Sequence, residues 1–532
     1  MDKPMLLSDR QIQQFIADGY LVIRLNMDPW VHRVIDKKFN WLAENERNPG
    51  NNIVARLPEL NLILDSNEVR GAMISLLGED HVRIPHCHWH YRKSETMEEN
   101  YPNREYKDII AAGSHQDSYN PSKTGKIHAM EYIRFMYYSH DIELENGPTH
   151  VSPGTQYHQK VEEEDAHLET PVLGKAGTVF ISHFDLIHSG SPNLSDRTRN
   201  MIKFIYKKNK KTLKPSWDHK STKWINKKTS AAYKTENCWK YHWHQLCNIK
   251  ETSQTLKKSN LFDKTSFDEV QSTEALVNKI QVIGNQPQAI DFLISKLNTS
   301  HQAIRTSAIY ALGDIGKNAV QPLLKYLKKR EPTCTNTERV SGGSFSFDDA
   351  THSLIACGAV KSEDIEKLLT PSNFWSKINA MHLVDSLEIM SESIKQSILK
   401  CLNSKSDLLI SYAALTIGKI DEKEMVPVLL NILDKKYRKK NHDEIVNKRA
   451  NGHWPNEWAI HFNAALSLLR LSRHIKPYES EIEKHLSHPN GQVSMMICDC
   501  MKRIKSKSSL NALVDFYERR RWDDSLSVLQ TF

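Results

Sequence analysis

The stretch His115-Gln-Asp117, followed downstream by His188-Ser-Gly-Ser-Pro-Asn-Leu-Ser-Asp-Arg-Thr-Arg199, carries the strongest signal in this chain. In a β-strand, side chains at positions i and i+2 point the same way, so His115 and Asp117 can hold one ion while Gln116 faces the other side. Two histidines and one carboxylate on one face of a metal are the ligand set of non-haem Fe(II) oxygenases, which leaves the opposite positions open. The pattern therefore indicates an iron site, with His188 as the candidate third ligand.

Other His-x-acid triplets occur in the chain, so the triplet alone is weak support. They are His167-Leu-Glu169, His183-Phe-Asp185 and His442-Asp-Glu444. Each lacks the ordered companions that follow His115. These companions are the β-rich run 132–138, turn signals at 145–148 and 152–155, the strand pattern at 176–181 and an apolar strand at 201–206.

This order resembles the phytanoyl-CoA dioxygenase family of Fe(II)/2-oxoglutarate-dependent oxygenases, over roughly residues 5 to 207. The opening, from Leu7 to Val22, resembles the first helix and first strand of that family. The resemblance implies a double-stranded β-helix, which is a jelly-roll, cupin-like fold. It also implies that the catalytic metal ligands are His115, Asp117 and His188.

Arg199, eleven positions after the distal histidine, matches the family's arginine that binds the far carboxylate of 2-oxoglutarate. A planar, always-charged guanidinium suits a carboxylate in a partly buried pocket. Arg197 has the same strand parity, and only the family's spacing favours Arg199. The family usually places a serine two residues after the distal histidine, where this chain has Gly190 between two serines. The further candidates for binding the co-substrate are Gln116, Ser191 and Arg92.

A histidine-rich strand pattern, Ile84-Pro-His-Cys-His-Trp-His-Tyr-Arg92, lies upstream of the metal triplet. Strand alternation places its three histidines and Arg92 on one face. In the resembled family this strand contributes to the pocket, so His86 and His88 are candidate substrate contacts, as is Arg134. The alternatives are a polar wall or surface stripe without a ligand, or a second metal site.

The resemblance implies a dioxygenase that converts 2-oxoglutarate and O2 to succinate and CO2 while it hydroxylates or desaturates a C–H bond of a small molecule. Retention of Asp117 favours these outcomes over halogenation, because halogenating relatives replace this carboxylate with a small residue. Two alternatives stay open. One is a protein or carrier-protein hydroxylase that recruits its substrate through the carboxyl-terminal helices, and the other is a non-enzymatic scaffold with a vestigial oxygenase domain.

From about residue 265 onward the apolar residues recur at helical spacing. The pattern of residues 304–327 returns at 410–433, with weaker copies elsewhere. Because no single helix pair can bury its apolar stripe alone, such units must stack. The segment resembles HEAT repeats of the phycobilisome-lyase-like kind and predicts an all-α solenoid. This solenoid is expected to bind a protein partner, to mediate self-association or to stabilise the catalytic domain.

We therefore predict a multidomain α+β protein with an oxygenase domain at 1–210, a basic, Trp-rich connecting segment at 211–260 and a HEAT-like domain at 261–532. Residues 207–228 contain nine lysines and one acid, Asp218. Basic residues with interleaved aromatics are typical of nucleic-acid surfaces. We expect instead a linker whose tryptophans pack beneath the catalytic domain, and not a nucleic-acid partner.

Composition agrees with an intracellular protein. The 532 residues are 39% apolar with a net charge of +8, and the mean hydropathy is −0.56. No stretch approaches the roughly 18 apolar residues of a membrane span, and the amino terminus has no signal-peptide pattern. The eight cysteines include no Cys-x-x-Cys, which argues against disulfides and structural zinc. We expect a cytoplasmic location, and we expect the histidines outside the motifs above to be incidental.

Overall fold

The computed structural model describes residues 3–46, 48–117, 125–166, 170–225, 228–249, 262–330, 346–370, 373–437 and 456–520. The predicted fold class is confirmed. Two antiparallel sheets form the double-stranded β-helix, and a helical solenoid follows it. The predicted domain limits at 210/211 and 260/261 stay predictions.

The chain opens with the predicted helix and strand, α1 (Asp9–Asp18) and β1 (Tyr20–Arg24). Ser8 caps the helix: its hydroxyl accepts a hydrogen bond from the amide of Gln11, whose side chain accepts one from the amide of Ser8. Gly19 ends the helix with φ of +80°, a conformation that favours glycine, and its amide donates to Phe15.

Seven further strands complete the two sheets: β2 (His81–Arg92), β3 (Tyr132–Tyr138), β4 (Thr149–Val151), β5 (Thr170–Pro171), β6 (Thr178–His183), β7 (His188–Gly190) and β8 (Arg199–Lys208). The larger sheet has the order β1-β6-β3-β8-β2, and the smaller has the order β5-β4-β7. Side-chain alternation divides the core. Met136 and Tyr138 of β3 pack in the cluster that includes Val151 of the smaller sheet, whereas Ile133 and Phe135 pack in the larger core that the helices share.

Seven helices accompany these strands: α2 (Pro29–Asn45), α3 (Ile53–Arg56), α4 (Leu60–Leu64), α5 (Asn67–Leu77), α6 (Met97–Asn100), α7 (Tyr106–Gly113) and α8 (Glu163–Ala166). The connecting segment adds α9 (Glu236–Leu246). Its tryptophans pack as predicted: Trp217 and Trp243 are buried against each other, and the indole of Trp217 donates to Asp9 on α1.

The solenoid has fifteen described helices: α10 (Lys264–Asp268), α11 (Thr273–Gln281), α12 (Ile290–Lys296), α13 (Gln302–Ile315), α14 (Lys317–Leu327), α15 (Asp349–Cys357), α16 (Ser362–Leu369), α17 (Phe374–Leu387), α18 (Glu392–Cys401), α19 (Asp407–Ile417), α20 (Met425–Asp434), α21 (Asn456–Arg470), α22 (Glu479–Glu483), α23 (Gly491–Ile504) and α24 (Lys507–Arg520). One row is formed by helices that contact each other in the order α11, α13, α15, α17, α19, α21 and α23. Glycines permit close approach in this row. A Cβ added at Gly313 would lie 2.7 Å from the Cβ of Ala356, and one added at Gly418 would lie 2.5 Å from the Oγ of Ser467.

This inner row packs against the oxygenase domain. The hydroxyl of Tyr412 on α19 accepts a hydrogen bond from the amide of Gly125 at 2.5 Å, and Arg503 on α23 forms an ion pair with Asp80 at 2.6 Å. None of the described helices is long and apolar enough to cross a membrane. The seven cysteines in the described part of the chain are free thiols.

Candidate active site

The two histidines and the aspartate predicted from the sequence meet at one point. One ligand atom from each of His115, Asp117 and His188 lies within 4.8 Å of the others. The Nε2 atoms of His115 and His188 lie 3.7 and 3.9 Å from the two carboxylate oxygens of Asp117. Within the described stretches, no other three His, Cys, Asp or Glu residues converge in this way.

Backbone pairing brings the two histidines together. The amide of His115 donates to the carbonyl of His188 at 2.9 Å, and the reverse hydrogen bond is 3.0 Å long. The Nδ1 atom of His115 lies 2.8 Å from the carbonyl of Gly113, and that of His188 lies 3.1 Å from the carbonyl of Leu186. With Nδ1 protonated and donating to a carbonyl, Nε2 is left as the metal-binding atom. Burial also holds the pKa of His188 well below its usual value, so this imidazole is neutral.

Asp117 is ionised and buried. Burial by itself would raise the pKa of its carboxyl, but Lys203 and then Arg134 hold that pKa well below its usual value. The Nζ of Lys203 lies 3.0 Å and the Nε of Arg134 lies 3.3 Å from Oδ2 of Asp117. Two imidazoles and an ionised carboxylate fit a divalent first-row metal such as Fe(II).

Arg199 is a buried cation, 5% exposed, whose pKa is lowered by burial. One Nη donates to the carbonyl of Gly147 at 3.0 Å, and Nε has no hydrogen-bond partner among the described residues. Arg197 was the alternative to Arg199 that strand alternation left open. Its side chain is half-exposed and forms an ion pair with Asp36 at 2.9 Å. Because a buried guanidinium without a carboxylate partner is costly, Arg199 fits an anionic ligand.

The side chain of Gln116 is held by hydrogen bonds to other segments of the chain. As alternation requires, it points away from the metal ligands. Its amide nitrogen donates to the carbonyls of His158 and Asp185 at 3.0 and 2.9 Å, and its oxygen accepts from Lys126. These contacts hold the side chain of Gln116 in place, and its contact with the co-substrate stays a prediction.

Ser191 and Arg92 lie next to each other beside the distal histidine. The hydroxyl of Ser191 donates to the carbonyl of Pro148 at 2.8 Å. Arg92 donates to the carbonyl of Ser191 at 2.7 Å and also contacts Glu95 and Tyr101. A Cβ at Gly190, where the family has serine, would lie 3.7 Å from Arg92. Contact of either side chain with 2-oxoglutarate stays a prediction.

The histidine-rich strand borders the metal cluster. After a register shift between Ile84 and Cys87, His88 lies opposite Lys203 on β8, and the rings of His88 and His90 are 4.2 Å apart. Burial lowers the pKa of all three histidines, that of His86 to about 3. Lys203 and Asp117 perturb each of them, so the strand forms a neutral, polar wall of the site.

Lys203 is the functional residue that the sequence analysis missed. It lies on a strand assigned as apolar from Met201 to Tyr206. Arg199 and Lys203 are four residues apart on β8, so strand alternation places their side chains on the same face. This spacing is the feature of the sequence that could have indicated a role for Lys203 at the site.

Of the rival triplets, only His183-Phe-Asp185 lies within the described residues, and there Nδ1 of His183 accepts from the amide of Asp185. The triplets at 167–169 and 442–444 lie outside the described residues.

A jelly-roll that holds two histidines, one aspartate and a buried arginine has the architecture of an Fe(II)/2-oxoglutarate-dependent dioxygenase. Comparison with family models agrees. Residues 11–201 match the family described as Phytanoyl-CoA dioxygenase (PhyH), so this chain carries a dioxygenase domain of that family. Residues 304–329 match the PBS lyase HEAT-like repeat, which confirms the predicted repeats.

Solved structures with a related fold include EctD from S. alaskensis with 2-oxoglutarate and 5-hydroxyectoine, at 19% identity over 39% of this chain and 78% of that chain, with a TM-score of 0.32. HygX from Streptomyces hygroscopicus with nickel and 2-oxoglutarate matches at 17% identity, over 38% and 86%, with a TM-score of 0.30. The epimerase SnoN from nogalamycin biosynthesis matches at 14%, over 36% and 79%, with a TM-score of 0.28. At these TM-scores the likenesses do not bear on reaction or substrate. No curated protein matches the chain.

Proposed function

We propose that this protein hydroxylates or desaturates a C–H bond of a polar small molecule, with Fe(II) held by His115, Asp117 and His188 and with 2-oxoglutarate held by Arg199. The observation that best supports the proposal is the buried guanidinium of Arg199, which lacks a carboxylate partner among the described residues. A dicarboxylic acid that reaches the metal with one end would supply that partner with the other.

The protein's own residues ligate, orient and exclude water. Bound Fe(II), with 2-oxoglutarate and O2, supplies the oxidation. The carbonyls of Gly113 and Leu186 orient the two imidazoles, and Lys203 and Arg134 orient the carboxylate of Asp117.

The histidine wall supports a polar substrate. His86, His88 and His90 are neutral at neutral pH because burial lowers their pKa, so they can both donate and accept hydrogen bonds without adding charge. A polar substrate can form hydrogen bonds with such a wall, whereas a bare hydrocarbon cannot. We propose His86 and His88 as substrate contacts for this reason. A substrate contact of Arg134 stays a prediction, and its contact with Asp117 favours a role in holding that carboxylate.

The helical repeats, we infer, stabilise the oxygenase domain. Their inner row contacts it through Tyr412 and Arg503 and through a buried network in which Gln159 donates to Asp349 and accepts from Arg305. A protein hydroxylase that recruits its substrate through this face of the repeats would need the face to be accessible, whereas these contacts cover it. The contacts therefore favour a small-molecule substrate. The free thiols suit a reducing compartment, and we propose a cytoplasmic location.

Anaerobic titration of the metal-free protein with Fe(II) and then 2-oxoglutarate tests the proposal. The weak visible charge-transfer band of the chelate should form in the wild type, be absent in Asp117→Ala and require at least tenfold more 2-oxoglutarate in Arg199→Ala. Arg197→Ala is the matched control, because this arginine has the same strand parity but pairs with Asp36. Wild-type protein that binds no iron would refute the proposal, as would equal losses in Arg197→Ala and Arg199→Ala.

A further inference from the structure

A cavity of about 160 Å³ lies between the oxygenase domain and the helical repeats. Residues 128–131 ahead of β3 and His183 at the end of β6 form one wall. Helix α9 and the inner-row helices form the others. None of the three metal-cluster residues lines it. At roughly 15 Å³ for each water, it has room for on the order of ten water molecules or for one small organic molecule.

One side of the cavity is a wall of histidine and tyrosine rings. The rings of His128 and His352 stack 4.0 Å apart and are nearly parallel. The hydroxyl of Tyr310 lies 2.9 Å from Nδ1 of His128 and 2.7 Å from Nε2 of His242. The histidines of this wall, expected to be incidental from the sequence, are His128, His183, His242, His352 and His382.

These histidines are neutral. Burial lowers the pKa of all five, and the pKa of His242, His352 and His382 is about 3. Their nitrogens do not converge as metal ligands would, since the described residues contain one such group and it lies at the iron site. The wall is therefore aromatic, uncharged and able to hydrogen-bond, which suits an aromatic organic body.

The other side of the cavity carries excess positive charge. Glu131 is paired with Lys207 at 3.1 Å, which leaves Asp385 as the unpaired acid at the inner end. Three further cations line the cavity, namely Lys208, Lys419 and Arg470, and the charges of Lys419 and Arg470 act on both acids. None of the three forms an ion pair with a carboxylate of the described residues.

Arg470 is the clearest case. Its side chain is buried, at 4% exposure, and one Nη donates to the carbonyl of Leu415 at 3.1 Å. Its Nε has no hydrogen-bond partner in the part of the chain that the structure describes. A buried cation is costly unless it is paired and hydrogen-bonded, so the cavity is built to receive an anion.

The mouth of the cavity opens to solvent without passing the iron site. Lys210, Lys211 and Glu388 line it and are exposed. Lys211, which follows β8, forms an ion pair with Glu388, which follows α17, at 3.1 Å. Exposed lysines at an entrance raise the local concentration of anions.

We propose that this cavity binds a small organic acid whose carboxylate pairs with Arg470 and Lys419 and whose flat body lies against the histidine wall. Because both domains form the walls, the acid binds the docked arrangement and stabilises it by mass action. The site is thus a second ligand site, separate from that of 2-oxoglutarate, through which an organic acid strengthens the contact between the domains.

Calorimetric titration of the full chain with phthalate, benzoate and inorganic phosphate tests this proposal. Phthalate or benzoate should bind the wild type more tightly than phosphate, and at least tenfold more weakly to Lys419→Gln and Arg470→Gln. Lys423→Gln, an exposed lysine of the same repeat outside the cavity, is the matched control and should bind like the wild type. If Arg470→Gln does not fold, Lys419→Gln decides, since Lys419 is only partly buried.

The iron site could also take a carboxylate, so each titration is repeated with Arg199→Gln. Binding that persists in this variant supports the cavity, and binding lost in it belongs to the iron site and overturns the proposal while the oxygenase assignment stands. The proposal is equally overturned if no probe binds, if phosphate alone binds, or if Lys419→Gln binds as the wild type does.

Discussion

Replacing Lys203 with methionine is expected to tighten metal binding and to weaken 2-oxoglutarate binding. The ammonium of Lys203 lies 3.0 Å from Oδ2 of Asp117, and both side chains are 5% exposed. Arg134 approaches the same oxygen at 3.3 Å. The carboxylate that must ligate the metal is therefore shared with two cations that compete for it.

The size of the effect follows from these distances. Two unit charges 3.0 Å apart attract by about 5 kcal/mol at an effective dielectric constant of about 20, and most of this is offset by the cost of burying the ammonium. Removing one partner of a buried pair costs about 3 kcal/mol, and Arg134 keeps Asp117 partly paired, so the unfolding free energy of the metal-free variant should fall by about that amount. Without the competing cation, the metal Kd should fall about tenfold, or about 1.4 kcal/mol. The 2-oxoglutarate Kd should rise about tenfold, because a cation on the same strand face as Arg199 is lost.

Anaerobic calorimetry of Lys203→Met with Mn(II) or Fe(II), before and after addition of 2-oxoglutarate, measures both constants. Lys207→Met is the matched control, because this buried lysine of the same strand pairs with Glu131 outside the metal cluster. The control should lose a similar free energy of unfolding without a change in metal Kd. The reasoning would be refuted if Lys203→Met bound the metal more weakly than the wild type does. It would also be refuted if the Kd values of the metal and of 2-oxoglutarate both rose or both fell.

Three further outcomes are expected. Acid should destabilise the protein, because three buried histidines have a pKa of about 3 when folded and about 6.5 when unfolded, so the stability present above pH 6.5 is lost as pH falls toward 3. At pH 5.5 the loss is about 1.4 kcal/mol for each of His242, His352 and His382, or about 4 kcal/mol together; urea unfolding at pH 7.5 and 5.5 measures it, and His352→Asn should remove about a third. Asp349→Asn removes the buried charge that pairs with Arg305 at 2.6 Å, and Arg305 in turn donates to Gln159 of the oxygenase domain, so the unfolding free energy should fall by about 3 kcal/mol and iron binding should weaken. Asp348→Asn, whose partner Arg330 contacts no oxygenase residue among those described, should leave the iron Kd unchanged. Truncation after residue 249 should abolish even uncoupled succinate formation, and an active, stable fragment would instead favour a recruitment role for the repeats.

The convergence of the three candidate metal ligands could be predicted because it rests on local periodicity and on the order of the motifs. His115 and Asp117 share a strand face by their spacing, and the distal His188 is placed by the order of motifs. The helical repeats were predictable for the same reason, since small residues such as Gly313 and Gly418 recur at fixed positions within the copies.

Other parts of the site depend on partners that are distant in the chain. Strand alternation places the side chains of Arg197 and Arg199 on the same face, and only the ion pair of Arg197 with Asp36 distinguishes the two arginines. The hydrogen bonds of Gln116 could not be predicted because its partners, His158 and Asp185, come from later loops. Lys203 was overlooked because its carboxylate lies 86 residues earlier.

The sequence by itself predicted the general reaction class, the three candidate metal ligands and the stacked helices. Tertiary structure alone decided which charges are paired and where cavities lie. The interdomain cavity shows the difference, because His128 and Arg470 come from opposite halves of the chain and line one space only after the repeats pack on the jelly-roll. Periodicity is set by neighbouring residues, whereas the cost of an unpaired buried charge depends on every residue that folding brings near it.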